Sequence, residues 1–117
     1  MKPTDNIEVV TCLVKLRFDA DMVDSAVQLL LSVSERIEAK AGCQSCSISR
    51  EALESNSIRY IEIWSSEAEF TPHVQSDEFR NVLAAMDMCC EEPSVVIGTL
   101  SGRDGIAYLM DLRGRLD

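Results

Sequence analysis

The sequence predicts an α+β fold with the element order β-α-β-β-α-β, in which four strands form one antiparallel sheet and the helices pack on one side of it. Segments of period two and segments of helical period succeed one another in that order. Turn and cap residues fall between them. At 117 residues the chain has room for one domain, residues 1–117, with its core in about 7–101 and a C-terminal extension, 102–117.

Ile7 to Phe18 is the first strand. Val10, Cys12, Val14, Leu16 and Phe18 alternate onto one face, and Val9, Thr11 and Leu13 onto the other. Asp19 or Asp21 is placed to cap the helix that follows, in which Met22, Ala26, Leu29, Leu30, Val33 and Ile37 recur at helical spacing. Lys40 falls in its last turn and Gly42 at the left-handed position beyond its end. Cys43 to Glu51 and Ile58 to Trp64 are β-prone, and the turn residues Leu53-Glu54-Ser55-Asn56-Ser57 between them make a hairpin. In its second arm Ile58, Tyr60, Glu62 and Trp64 share one face, and Arg59, Ile61 and Ile63 the other. Ser66 with Glu69 matches a capping box and starts a short helix that Pro72 interrupts. Ser76, followed by Asp77 and Glu78, starts the next, with acids on the positive end of the helix dipole. Phe79, Val82, Leu83, Met86 and Cys90 form its stripe, Pro93 marks its end, and Ser94 to Ser101 is the last core strand. The tail around Ile106-Ala107-Tyr108-Leu109-Met110 reads as an extra strand. The order is the ferredoxin-like arrangement. Strands one, three and four are apolar on both faces, whereas helices can cover only one. A second copy of the same sheet is the simplest cover for the other, which predicts an isologous homodimer.

Composition narrows the function. Hydrophobic residues are 46% and charged residues 26%, the balance of a globular domain. Twenty acids against eleven bases give a net charge of −9, which disfavours nucleic acid and anionic membrane surfaces as partners. No apolar run is long enough to span a bilayer and the N-terminal residues lack a signal-peptide core, so a cytoplasmic location is expected. Five cysteines without a secretory context read as separate, reduced thiols. Cys43-x-x-Cys46 has the spacing of a redox or zinc motif, yet on a strand residues three apart point to opposite faces. No metal site is expected from it.

Ala41-Gly42-Cys43, Tyr60-Ile61-Glu62-Ile63-Trp64, His73-Val74-Gln75-Ser76-Asp77-Glu78-Phe79 and Glu92-Pro93 occur in that order. Together they resemble the antibiotic-biosynthesis monooxygenase (ABM) domain, over roughly residues 8 to 101. The resemblance implies a dimeric α/β barrel, with the sheets of two copies packed face to face. It also implies oxidation of quinols, anthrones and similar electron-rich aromatics by dioxygen without metal or flavin, so no cofactor is expected. Neighbouring branches degrade heme or process small signalling molecules. The heme-degrading branch uses an asparagine on the first strand, and Ile7 to Phe18 contains none. The alternative function is a non-catalytic or signal-molecule-processing dimer that binds a small molecule, followed by heme binding or degradation, because fold does not fix function.

Cofactor-free oxygenation needs a base, a water-poor pocket and donors for developing negative charge. The candidate catalytic residues are His73 and Glu62, and the candidate substrate-binding residues are Trp64 and Tyr60. Trp64, the one tryptophan, stands at a strand end, either as a core aromatic or as a wall that stacks on a flat substrate. Glu62 lies on a strand buried on both faces, where a carboxylate must be paired; the options are an arginine such as Arg50 or Arg80, or a role as base. His73 is the one histidine, expected near a pocket mouth as a solvated residue or as the acceptor of a phenolic proton.

Overall fold

The computed structural model describes residues 7–102 and 105–115. Its elements are β1 (Ile7–Arg17), α1 (Val23–Glu38), β2 (Cys43–Arg50), β3 (Ser57–Trp64), α2 (Glu67–Val74), α3 (Asp77–Asp87), β4 (Ser94–Gly102) and α4 (Gly105–Arg115). The strands form one antiparallel sheet in the order β2-β3-β1-β4.

The period-two pattern of β1 is realised in its burial. Val10, Cys12, Val14, Leu16 and Phe18 face the helices and are at most 8% exposed. On β3, Ile58, Tyr60, Glu62 and Trp64 face the same way and are all but inaccessible. Helix α1 closes this layer with Val23, Ala26, Leu30, Val33 and Ile37, and α3 with Phe79, Val82 and Ala85. The other face carries Leu13, Ile61 and Ile63, which are half-buried. Strand β4 lies beyond the helix layer, so Val95, Val96, Ile97 and Leu100 are 44–59% exposed on both of its faces.

Local chemistry departs from expectation in four places. Neither Asp19 nor Asp21 caps α1; the N-cap is Met22, without a side-chain hydrogen bond, and the helix ends at Glu38, two residues before Lys40. The Ser66 hydroxyl bonds the Glu69 carboxylate at 3.2 Å and not a backbone N–H. Pro72 lies inside α2 and does not break it. The tail is the helix α4 and not an extra strand. Leucine, methionine, alanine and arginine are strong helix formers, and Ile106, Leu109 and Met110 fall at i, i+3 and i+4. Two expected devices are present. Ser76 caps α3 by accepting the Phe79 N–H at 3.3 Å, and Gly42 holds φ +89° at the turn into β2. That positive φ favours glycine, and a Cβ there would also make the Glu69 carboxyl move aside.

Candidate active site

Alternation along β3 puts Tyr60, Glu62 and Trp64 side by side under α2. The short connection from Trp64 into α2 folds His73 back onto them. The four candidate residues therefore meet, and all of them are buried. Glu62 is the hub. It accepts hydrogen bonds from the Tyr60 hydroxyl, from Trp64 Nε1 at 2.8 Å and from His73 Nε2 at 3.0 Å. The His73 ring packs on Trp64 with centroids 4.6 Å apart and meets Phe79 edge-on at 5.3 Å. Arg50 and Arg80 do not reach Glu62; they pair with Asp24 and Asp77.

Burial pushes the Glu62 carboxyl up, but the bonds from His73, Tyr60 and Trp64 outweigh that and hold it below its ordinary value. The phenol of Tyr60 moves strongly upward, first through burial and then through the Glu62 charge. This site keeps one carboxylate ionised and ties every donor around it.

Sequence reading missed the other end of the network. Lys40 donates to His73 Nδ1 at 3.0 Å and to Ser76 Oγ at 2.9 Å, and it pairs with Glu78 at 2.8 Å. With Glu62 on one nitrogen and Lys40 on the other, the His73 side chain is 1% exposed and does not stand at a pocket mouth. Lys40 and His73 are 33 residues apart, and no local periodicity links them.

An apolar groove of about 450 Å³ lies between α2 and the β1–β4 edge. Val10, Phe70, Val74 and Ile97 form its apolar walls, with Thr71, Gln75, Thr99 and Glu67 among its polar groups. Tyr60, Glu62, Trp64 and His73 do not line it. Phe70 connects the two regions, since it lines the groove and packs on Trp64 with centroids 6.2 Å apart. The i, i+3 spacing of Phe70 and His73 was the available sequence signal for one buried side of α2.

The thiols follow a different geometry from the one expected. A β-bulge between Cys43 and Ser45 sets Cys43 opposite Trp64 and Cys46 opposite Glu62, so both sulfurs lie on the helix-facing side. No disulfide joins any of the five cysteines. Burial, reinforced by the Glu62 charge, pushes Cys12 up to about 12 and Cys43 up to about 11; burial likewise dominates at Cys46, which reaches about 12. Iodoacetamide at pH 8 is expected to label exposed Cys90 first and to reach Cys12 and Cys46 only in denaturant, as peptide mass mapping would show. Among the described residues no cluster of three or more His, Cys, Asp or Glu side chains is arranged to hold a metal ion, and no helix is long and apolar enough to cross a membrane.

The architecture is an α+β fold with one four-stranded antiparallel sheet, a buried glutamate–histidine pair and an apolar groove. The chain belongs to the antibiotic biosynthesis monooxygenase family, whose model matches residues 9–85. Among solved structures, a conserved protein from Methanosarcina mazei Go1 matches with TM-score 0.73 at 18% identity, covering 79% of this chain and 92% of that one. A structure described as an antibiotic biosynthesis monooxygenase matches with TM-score 0.68 at 16% identity, over 76% and 95%. A protein from Mycobacterium tuberculosis matches with TM-score 0.68 at 16% identity, over 84% and 98%. At these identities the likeness is one of fold. No curated protein matches the chain significantly.

Proposed function

We propose that the chain is a homodimeric monooxygenase, working without metal or organic cofactor, that oxidises a small, flat, electron-rich aromatic compound with dioxygen. The observation that carries this reading is the groove. Its volume of about 450 Å³ suits a ligand of a few fused rings, and its walls are largely apolar. Glu67 is the ionisable side chain on its wall, placed to take the substrate's proton, while Thr71, Gln75 and Thr99 supply polar contacts to the oxyanion that develops. Trp64, Tyr60, Glu62 and His73 serve as the fixed backing of that wall, through Phe70.

For an anthrone-type methylene the balance closes without an outside reductant. The base removes one C–H proton, and the resulting anion reduces dioxygen and forms a C–O bond. The O–O bond then breaks, leaving one oxygen in the product carbonyl and the other in water. The four electrons lost from CH₂ to C=O are the four that dioxygen accepts.

A panel of quinols and anthrones in an oxygen electrode tests this, with labelled dioxygen to count oxygen atoms in the product. Uptake with one labelled atom per product supports the reading; binding without uptake makes the protein a small-molecule carrier. Glu67→Gln is expected to reduce turnover about 10²–10⁴-fold at unchanged melting temperature. A second reading keeps the base at His73, favoured because Phe70 bridges its aromatic neighbour Trp64 and the groove. It prevails if His73→Ala, with its fold intact, loses that turnover while Glu67→Gln does not.

The dimer rests on the open face of the sheet, with Leu13, Ile61 and Ile63, and on the exposed apolar residues of β4. Light scattering at micromolar concentration is expected to give twice the chain mass, and Ile61→Asp to give monomer or precipitate. A wild-type monomer throughout that range would remove the face-to-face arrangement.

A further inference from the structure

The acceptors around Lys40 account for all of its hydrogens. An ammonium has three N–H donors and no lone pair. Here the three acceptors are Glu78 Oε1 at 2.8 Å, Ser76 Oγ at 2.9 Å and His73 Nδ1 at 3.0 Å. Lys40 is a donor to Nδ1, so that nitrogen presents its lone pair and carries no hydrogen. The ring's single hydrogen then sits on Nε2, which faces Glu62. Without the ammonium, the inner carboxylate would remain on one side of the ring and the Nδ1 lone pair would be open on the other.

We propose that Lys40 is the positioning residue of this site: it occupies His73 Nδ1, keeps a single hydrogen on the imidazole and directs it from Nε2 to Glu62. The same three bonds join the end of α1 to α2 and to the first turn of α3, and α2 is the wall of the groove. The bearing on catalysis rests on the proposed function above; the bonding pattern does not. The charged groups around the ring are Glu62 from β3 and Lys40 from the end of α1, with Glu78 of α3 behind Lys40. The remaining neighbours are the Ser76 hydroxyl, which bonds the His73 carbonyl, and the rings of Trp64 and Phe79.

His73 is the only histidine, so long-range proton–nitrogen correlation spectra of the labelled full chain report this ring alone. At pH 7 the wild type is expected to show one protonated nitrogen, Nε2, and one bare nitrogen, Nδ1. In Lys40→Met the bare nitrogen is expected to vanish, leaving two protonated nitrogens, and Lys40→Arg is expected to restore the wild-type pattern. Two protonated nitrogens in the wild type overturn the assignment whether or not Lys40→Met folds. A singly protonated ring in folded Lys40→Met overturns it as well. The spectra need no substrate, so their outcome is separate from the fate of the monooxygenase reading.

Discussion

Glu62→Gln is expected to lower the unfolding free energy by about 1.5–3 kcal/mol, the range for a buried hydrogen bond to a charged group. The carboxylate is fully buried, and three donors converge on it from Tyr60, Trp64 and His73. Glutamine keeps one acceptor oxygen and turns an NH₂ toward one of those donors, so at least one N–H or O–H is left facing another. Urea unfolding at pH 7 measures the loss. The pH dependence carries a second signature. The folded carboxyl lies below its ordinary value of 4.5, so its contribution is complete above that value and is lost as pH falls through the lower folded one. Wild type and variant should therefore differ most near neutrality and converge in acid. Parallel curves from pH 7 to pH 3 would show that the carboxylate charge is not what stabilises the hub.

Trp64→Ala is expected to cost about 3–5 kcal/mol, the range for deleting a buried large aromatic. The ring is 1% exposed and packs on Phe70 and His73. Its N–H is one of the Glu62 donors, so the truncation opens a cavity and leaves the carboxylate short of a partner. Trp64→Phe separates the two parts: it keeps most of the packing and drops only the N–H, with a loss of about 1–3 kcal/mol expected. Equal losses for the two variants would put the whole effect on the hydrogen bond. A full-sized loss for alanine and none for phenylalanine would put it on packing.

Both predictions rest on β3, where a sequence pattern and a tertiary arrangement coincide. In a strand, side chains two apart share a face by backbone geometry alone, so the grouping of Tyr60, Glu62 and Trp64 was legible before any coordinates. His73 joined them because the connection into α2 is short. The strand and helix periodicities likewise specified the element order through β4, since each segment must bury its apolar side on a common core. The chain's own residues thus determined the layer, its helix-facing side and four members of the hub.

The tertiary structure decided the rest, wherever the outcome depends on contacts distant in sequence. Lys40 reached His73 only because α1 ends above the start of α3, and nothing in the local pattern around either residue encodes that meeting. The bulge after Cys43 turned two thiols onto one face, which strict alternation would have separated. Pro72 sits inside α2 without ending it, and the tail took the helical form its residue types favour over the expected extra strand. The groove belongs to this second group as well. Its walls come from β1, α2 and β4, and a recess between elements exists only once the helix layer stops short of the last strand.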